Sequence, residues 1–244
     1  MLIKQQIGRI IAVHCIFLLL ISCEKDAPAP PIENSSCDLK AFTSTVLGME
    51  TLDSVYYTDG KVVRITQHSA NAPTKTINYS YYGQDSVHIS ENGSLSTVYY
   101  FDALSRLTEI RYITNGQTLQ FQYTNAGTAG DSIRLSMTGE PSAFATLFRN
   151  TQGNITYARS VIEGDLHESH YTYDTKANVF KPLLHFGNLL YALSRNNQLR
   201  YTTYKNGVLV ETVDFNLSYT ASNQLSSMAF MEGAFRFDFK YECR

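Results

Sequence analysis

The sequence predicts an all-β fold, namely a long antiparallel meander of about a dozen strands in a curled sheet or partial barrel. Three observations predict this class. The 244 residues include 17 Tyr and 13 Phe but only 6 Pro, and aromatic side chains favour strands. Apolar and polar residues alternate with a period of two along much of the chain. Dipeptides typical of tight turns separate these runs at short intervals.

The composition also excludes two classes of protein. Since 43% of the residues are hydrophobic and only 17% are charged, the chain can build a core and is not disordered over its whole length. The 20 basic and 22 acidic residues give a net charge of −2. This balance leaves no basic excess to neutralise phosphates, so nucleic acid is not an expected partner.

Residues 1–22 are predicted to be a lipoprotein signal peptide. Lys4 and Arg9 form a basic start, and residues 10–22 are mostly apolar. This apolar stretch would rise about 20 Å as a helix, which is too short for a hydrocarbon core of roughly 30 Å. We therefore expect the stretch to be cleaved and not to span the membrane.

The end of this stretch, Leu20-Ile21-Ser22-Cys23, resembles the lipobox of bacterial lipoproteins. The resemblance implies that the Cys23 sulfur carries a diacylglyceryl group and that the chain is cut just before it. Only a thiolate supplies the soft nucleophile for this thioether. It also implies an outer-membrane protein that contacts the membrane through this lipid and faces the periplasm or the cell surface. The alternative is an ordinary secretory signal with a chance cysteine.

Residues 23–36 are predicted to be a lipid-anchored, proline-rich linker ahead of a single β domain at 37–244. The segment 24–26, Glu-Lys-Asp, resembles the short export signal of surface lipoproteins in Bacteroidota. A solvated linker would have the same composition. Residues 27–31 carry three prolines and are expected to extend as a stiff polyproline segment.

Two cysteines, Cys37 and Cys243, remain at the two ends of the predicted domain. In an oxidising compartment their natural pairing is a disulfide. Closing so long a loop is worth up to about 5 kcal/mol in the chain-entropy model. The alternative is a pair of unrelated thiols, because the sequence does not give the distance between their Cα atoms.

The alternation of apolar residues predicts which side chains share a face of the sheet. Strands with one apolar face belong to antiparallel sheets with one solvated side. The concave side is expected to hold Phe121, Ile133, Leu135, Phe215, Leu217, Phe237 and Phe239. Tight turns are expected at Asp59-Gly60, Asn92-Gly93, Asn115-Gly116, Gln152-Gly153, Asn206-Gly207 and Glu232-Gly233.

Residues 55–65 and 99–110 are weakly self-similar. Each reads as an aromatic strand, a turn with Asp, a basic residue and an aliphatic return strand. This pattern resembles the tyrosine–aspartate repeats of bacterial surface proteins.

A closer resemblance is carried by residues 171–180, YTYDTKANVF, by 193–197, LSRNN, and by the terminal 241–243, YEC. These motifs resemble uncharacterised Bacteroidota lipoproteins that contain a domain of unknown function with a porin-like fold. The resemblance implies that fold and brings no known activity. That family tends to have proline after the asparagine, where this chain has Val179.

Residues 182–193 break the alternation. Leu183, Phe186, Leu190 and Leu193 have roughly helical spacing. We expect a short helical or irregular plug that covers one open side of the sheet. A gate for a hydrophobic ligand is the alternative.

Candidate chemistry is sparse. His167 and His170 form the densest group of metal-ligand side chains, with Asp165 nearby. Their spacing of three in a strand places them on opposite faces, and a zinc-protease helix needs histidines four apart. No Gly-x-Ser-x-Gly nucleophile elbow is present. We therefore expect no catalytic residues, no bound metal and no cofactor.

Three tripeptides resemble the Asp-Ser/Thr-aliphatic acceptor of Bacteroidota O-glycosylation. They make Ser54, Ser86 and Ser132 candidate acceptors. The alternative is that Asp-Ser pairs simply start strands.

The sequence thus predicts a lipid-anchored envelope protein that binds or scaffolds and does not catalyse, with another envelope protein as a candidate partner. The alternative is a carrier of an apolar small molecule in the curved sheet. A metal-dependent hydrolase that uses His167 and His170 is a distant third.

Overall fold

The computed structural model describes residues 37–124, 132–138, 144–183 and 193–243. These residues form 17 β-strands and two short 3-10 helices, at Lys181–Leu183 and Met231–Gly233. The strands are β1 (Cys37–Val46), β2 (Met49–Thr58), β3 (Lys61–Ser69), β4 (Ala72–Tyr82), β5 (Ser86–Glu91), β6 (Ser94–Phe101), β7 (Leu107–Tyr112), β8 (Thr118–Tyr123), β9 (Ser132–Met137), β10 (Phe144–Arg149), β11 (Ile155–Ile162), β12 (Asp165–Ala177), β13 (Asn196–Lys205), β14 (Val208–Asp214), β15 (Asn216–Tyr219), β16 (Leu225–Phe230) and β17 (Phe235–Cys243).

The strands form one antiparallel meander that is nearly closed into a barrel. Each strand from β1 to β13 pairs with its successor, and β15, β16 and β17 pair in the same way. The first strand, β1, also pairs with the last strand, β17. Within the described residues, strands β14 and β15 are not joined by a ladder. They follow each other directly along the chain, separated by the single residue Phe215. The predicted all-β partial barrel is confirmed.

The ring holds more strands than the dozen expected, because several hairpins lack a strong turn signal. The predicted turn at Asn206-Gly207 has φ angles of 50° and 78°, as a two-residue hairpin of type I′ requires. Leu47-Gly48 adopts nearly the same angles, 49° and 82°. Glu163-Gly164 does so as well, at 51° and 87°. Leu and Glu rarely adopt this left-handed conformation, so these two turns were not expected from the sequence.

The hydrophobic core lies on the inner face of the ring. Phe121, Ile133, Leu135, Phe215 and Phe239 are all at most 7% exposed. The other two residues expected on the concave side, Leu217 and Phe237, are half-buried and pack against this core. The predicted concave face is therefore confirmed. Within the described ranges, no helix has the length and apolar character needed to cross a membrane.

The two ends of the barrel differ. The near end carries Cys37, Cys243 and the long connection between β12 and β13. The far end carries the hairpin turns 47–48, 92–93, 163–164 and 206–207. Because strand direction alternates around the ring, successive turns fall at opposite ends. Both chain termini of the described domain therefore lie at the near end.

The first and last residues of the described domain are register partners. Cys37 lies opposite Cys243 in the β1–β17 ladder, and the structure joins their sulfur atoms in a disulfide. The ladder itself brings the two residues together, so the predicted pairing fits the fold. Its formation in the cell stays a prediction.

Candidate binding surfaces at the two ends of the barrel

The chain enters and leaves the predicted plug, residues 182–193, at the near end. Leu183 and Leu193 at the two ends of this segment, and Phe180 just before it, are inserted into the core and are at most 2% exposed. The Phe180 ring packs edge-on against Phe237 and Phe239, with centroid distances of 5.6 and 5.5 Å. Of the residues with helical spacing, Phe186 and Leu190 lie outside the described residues. The described ends of the segment therefore enter the core at this opening, and the expected cover itself stays a prediction.

The carboxylate of Asp174 on β12 forms hydrogen bonds that connect β13, the strand after the plug, to β12 and β15. Asp174 accepts hydrogen bonds from the backbone N–H groups of Lys176 at 2.9 Å and Asn197 at 3.0 Å. It also accepts bonds from the Asn197 side-chain amide at 3.2 Å and from the Tyr219 hydroxyl. Both carboxylate oxygens are thereby used, so Asp174 joins β12, β13 and β15.

A second group of bonds fixes the chain where it leaves the plug. Asn154 donates to the Asn196 side chain at 2.9 Å and accepts from the Asn196 backbone at 3.0 Å. The Ser194 hydroxyl donates to Tyr173 at 2.8 Å, and the Asn178 amide donates to the Ser194 carbonyl at 3.0 Å. Tyr173 in turn donates to the Ile155 carbonyl at 2.6 Å.

Together these residues form what we call the clasp: Asn154, Tyr173, Asp174, Asn178, Ser194, Asn196, Asn197 and Tyr219. Burial raises the pKa of the Tyr173 phenol. Burial and then the bond to Asp174 raise the pKa of the Tyr219 phenol. Both phenols therefore stay protonated at neutral pH and keep donating.

The clasp explains two of the motifs on which the family resemblance rests. Residues 171–180 and 193–197 supply most of its members, so these motifs hold the plug in place. Sequence reasoning identified the segments but missed this role, because the partners lie on separate strands that only the folded sheet brings together. Val179, where the family tends to have proline, packs against the core.

The inner face of the barrel is more polar towards the far end than in the hydrophobic core. Asp53 on β2 is the register partner of Gln67 on β3, which is in turn the partner of Lys75 on β4. The Lys75 ammonium lies 2.5 Å from the Glu91 carboxylate on β5. Lys75 and Glu91 are 37% and 30% exposed, so solvent reaches this part of the inner face.

Asp53 differs from the other members of this row because it is 0% exposed. Neither of its carboxylate oxygens accepts a hydrogen bond of normal geometry. Burial raises its pKa from 3.8 to about 7, although the neighbouring Gln67 amide and the Lys75 charge pull it down. Burial therefore favours the protonated, neutral form of Asp53.

The outer rim of the far end is unusually apolar. Among the described residues, 15 large apolar side chains are exposed. Nine of them lie at or beside far-end turns: Leu47, Met49, Leu95, Ile113, Val161, Val208, Leu209, Val210 and Met231. Apolar side chains gathered at one end are more informative than the same number scattered over a surface. The far end is therefore the leading candidate for a binding surface.

The predicted lipid and glycan sites are placed as follows. Cys23 lies outside the described residues. Ser54 is half-buried, and Ser86 is only 9% exposed. Ser132 is half-buried, and its hydroxyl contacts that of Thr124 at 2.8 Å. Glycosylation of Ser86 would therefore have to precede folding, and all three sites stay predictions.

The two histidines of the predicted cluster point to opposite faces of β12, as their spacing predicts. His170 packs against the rings of Tyr157 and Tyr204 at 4.9 and 5.8 Å. His167 is the register partner of Lys205. It lies two positions before the buried Ser169 and therefore on the same face of β12 as that residue. Within the described ranges, no group of three or more His, Cys, Asp or Glu side chains could hold a metal ion.

Comparison with known proteins supports the fold. No protein-family model matches the chain, and no curated protein matches it. Its fold is similar to that of a porin-like protein from Bacteroides uniformis ATCC 8492, with a TM-score of 0.57 and 11% sequence identity. The match covers 84% of this chain and 98% of that chain. The porin-like fold implied by the sequence resemblance is thereby confirmed, and the similarity to tyrosine–aspartate repeats stays a prediction.

Removing the Asp174 carboxylate should weaken the clasp and destabilise the domain. Asp174→Ala leaves Tyr219 and Asn197 without their acceptor, and we expect a loss of about 2–3 kcal/mol in the free energy of unfolding. The control is Asp214→Ala, which removes an exposed ion pair with Arg200 and should cost less than about 1 kcal/mol. Equal losses in urea titrations of the two variants would contradict the clasp.

The buried Asp53 should make stability depend on pH. Because its pKa is higher in the folded state, folding takes up a proton, and stability is lost as the pH rises from about 4 through 7. A shift of this size corresponds to up to about 4 kcal/mol. Asp53→Asn keeps the shape without the charge, so it should stabilise the protein at pH 8 and have little effect below pH 4. Urea titrations at both pH values measure this difference, and a gain independent of pH would contradict the assignment.

Proposed function

We propose that this protein is a non-catalytic binding or scaffold module of the bacterial envelope, anchored by a lipid on Cys23, whose far end binds a partner. The porin-like fold is consistent with an envelope location. The proposal rests chiefly on the apolar rim of the far end, which gathers nine exposed side chains at the end opposite the chain termini.

The position of the linker supports this orientation. Residues 23–36 connect the proposed anchor to Cys37, which starts β1 at the near end. A linker of this length reaches at most about 50 Å when fully extended. The near end, with its plug, would then be tethered to the membrane surface, and the far end would be free to meet another molecule.

The interior supports a surface role over transport of an apolar molecule. Within the described residues, large side chains that are almost wholly buried occupy the barrel, among them Phe42, Ile133 and Phe180. The carrier alternative would need space beneath the plug that these side chains do not fill. The hydrolase alternative has no support, because His167 and His170 do not converge.

Site-specific photocrosslinking in living cells tests the proposed orientation. A benzophenone amino acid in place of Val210 at the far end should give crosslinked adducts. The same amino acid in place of Leu104, an exposed residue at the near end, should give few. Adducts at Leu104 alone, or at neither position, would contradict a far-end binding surface.

The anchor is checked in the same cells with a clickable fatty-acid analogue. Wild type should take up the label and remain in the membrane fraction, whereas Cys23→Ser should lose both properties. Equal labelling of the two proteins would contradict lipidation at Cys23.

A further inference from the structure

Within the described residues, strand β14 has one edge that no ladder covers. β14 pairs with β13 from Arg200↔Asp214 to Lys205↔Val208. No ladder covers its other edge within the described residues, because the neighbouring strand β16 pairs only from Asn216 onward. The chain changes partners at Phe215, so β14 extends towards the far end past the last residue of β16.

The resulting gap, which we call the notch, lies between the free edge of β14 and the turn from β16 to β17. β16 ends at Phe230, which is the register partner of Phe235 on β17. Three aromatic rings contact one another beside this gap. Phe215 lies 4.9 Å from Phe230, and Phe230 lies 4.9 Å from Phe235. Phe230 and Phe235 are only half-buried, so an apolar surface remains uncovered beside the notch.

The direction of the backbone groups shows what the notch can bind. The Phe215 N–H donates to the Leu199 carbonyl on β13 at 2.9 Å. Peptide groups in an antiparallel strand face opposite edges in alternation, so those of Thr212 and Asp214 face the notch. Donors and acceptors at this spacing are matched by another extended backbone, as in strand addition to a sheet edge.

The edge has only part of the usual protection against such pairing. Exposed edges are commonly protected by lysine, proline or bulges, and residues 208–214 contain neither lysine nor proline. One register shift opposite Thr203 and Tyr204 places a bulge at Val210. Regular pairing positions remain from Glu211 to Asp214. Val208, Leu209 and Val210 are 68%, 57% and 54% exposed, which adds an apolar flank to the edge.

Charge indicates the chemistry of the occupant. Glu211 lies on β14 and Glu232 is exposed on the opposite side of the notch, whereas Asp214 is already paired with Arg200 at 2.5 Å. Pairing of two β14 edges from two copies, centred on Glu211, would place like charges opposite each other, which is unfavourable. A segment with basic side chains is favoured instead. Its apolar side chains would cover Phe230 and Phe235.

We propose that the notch binds an extended segment of a partner polypeptide, in which apolar and basic side chains alternate and which pairs with β14 as an added strand. This inference rests on the proposed function and specifies the partner that the far end would bind. The added strand would fill the gap in the ring and bury the two half-exposed phenylalanines.

The test uses the full mature chain in detergent and a fluorescein-labelled eight-residue peptide that alternates valine and lysine. Fluorescence anisotropy should show saturable binding to wild type. Thr212→Pro removes one N–H that faces the notch and should weaken binding tenfold or more. The matched control, Thr212→Ala, keeps that N–H and should bind like wild type. Circular dichroism confirms that both variants are folded.

A second probe keeps the test valid if Thr212→Pro does not fold. The same peptide with alternate amides N-methylated retains its charge but cannot pair as a strand, and it should bind at least tenfold more weakly. Equal binding of the two peptides, or none by either, would overturn the proposal. So would self-association of the wild-type chain that Thr212→Pro abolishes, because the notch would then belong to a second copy. If the peptides fail while crosslinks form at Val210, the strand-addition mode is wrong and the proposed function stands.

Discussion

The pairing of β1 with β17 is the constraint on which the rest of this structure depends. A long meander with one apolar face must hide that face from water, and a flat sheet of this size cannot do so. Pairing the first strand with the last converts the apolar face into an interior. The pairing runs from Cys37↔Cys243 to Val46↔Phe235. It also brings Phe42 and Phe239 together, with ring centroids 6.1 Å apart.

Closure leaves two open ends, and these ends differ in structure. At the near end the chain enters and leaves the plug segment, and the clasp around Asp174 fixes its return into the sheet. The far end keeps a partly solvated polar row on its inner face and an apolar rim on its outer face. This asymmetry coincides with connectivity, because the β12–β13 connection begins and ends at the near end and its described ends are buried in the core. The proposed function uses the same asymmetry, with the anchor at one end and the partner at the other.

Much of the fold could be predicted from local pattern. Alternation placed Phe121, Ile133 and Phe239 on the inner face, because a period of two determines the face of a strand whatever its partner. Ring closure, the clasp and the notch could not be predicted in this way, since each joins segments distant in the sequence. Asp53 shows most clearly what local pattern cannot predict. It occupies an inward position between Thr51 and Val55, yet its burial depends on Phe42 and Gln67 in the neighbouring strands.

Closure can be tested with one residue that faces two strands. Thr45 on β1 is the register partner of Glu50 in the β1–β2 hairpin and of Arg236 on β17. In a background with Cys37→Ser and Cys243→Ser, Thr45→Cys should be oxidised to a disulfide with either Glu50→Cys or Arg236→Cys. The hairpin pair serves as the control, because it forms in any meander, closed or open. Comparable crosslinking of both pairs is the result that closure predicts. Crosslinking of Thr45→Cys with Glu50→Cys but not with Arg236→Cys would contradict it.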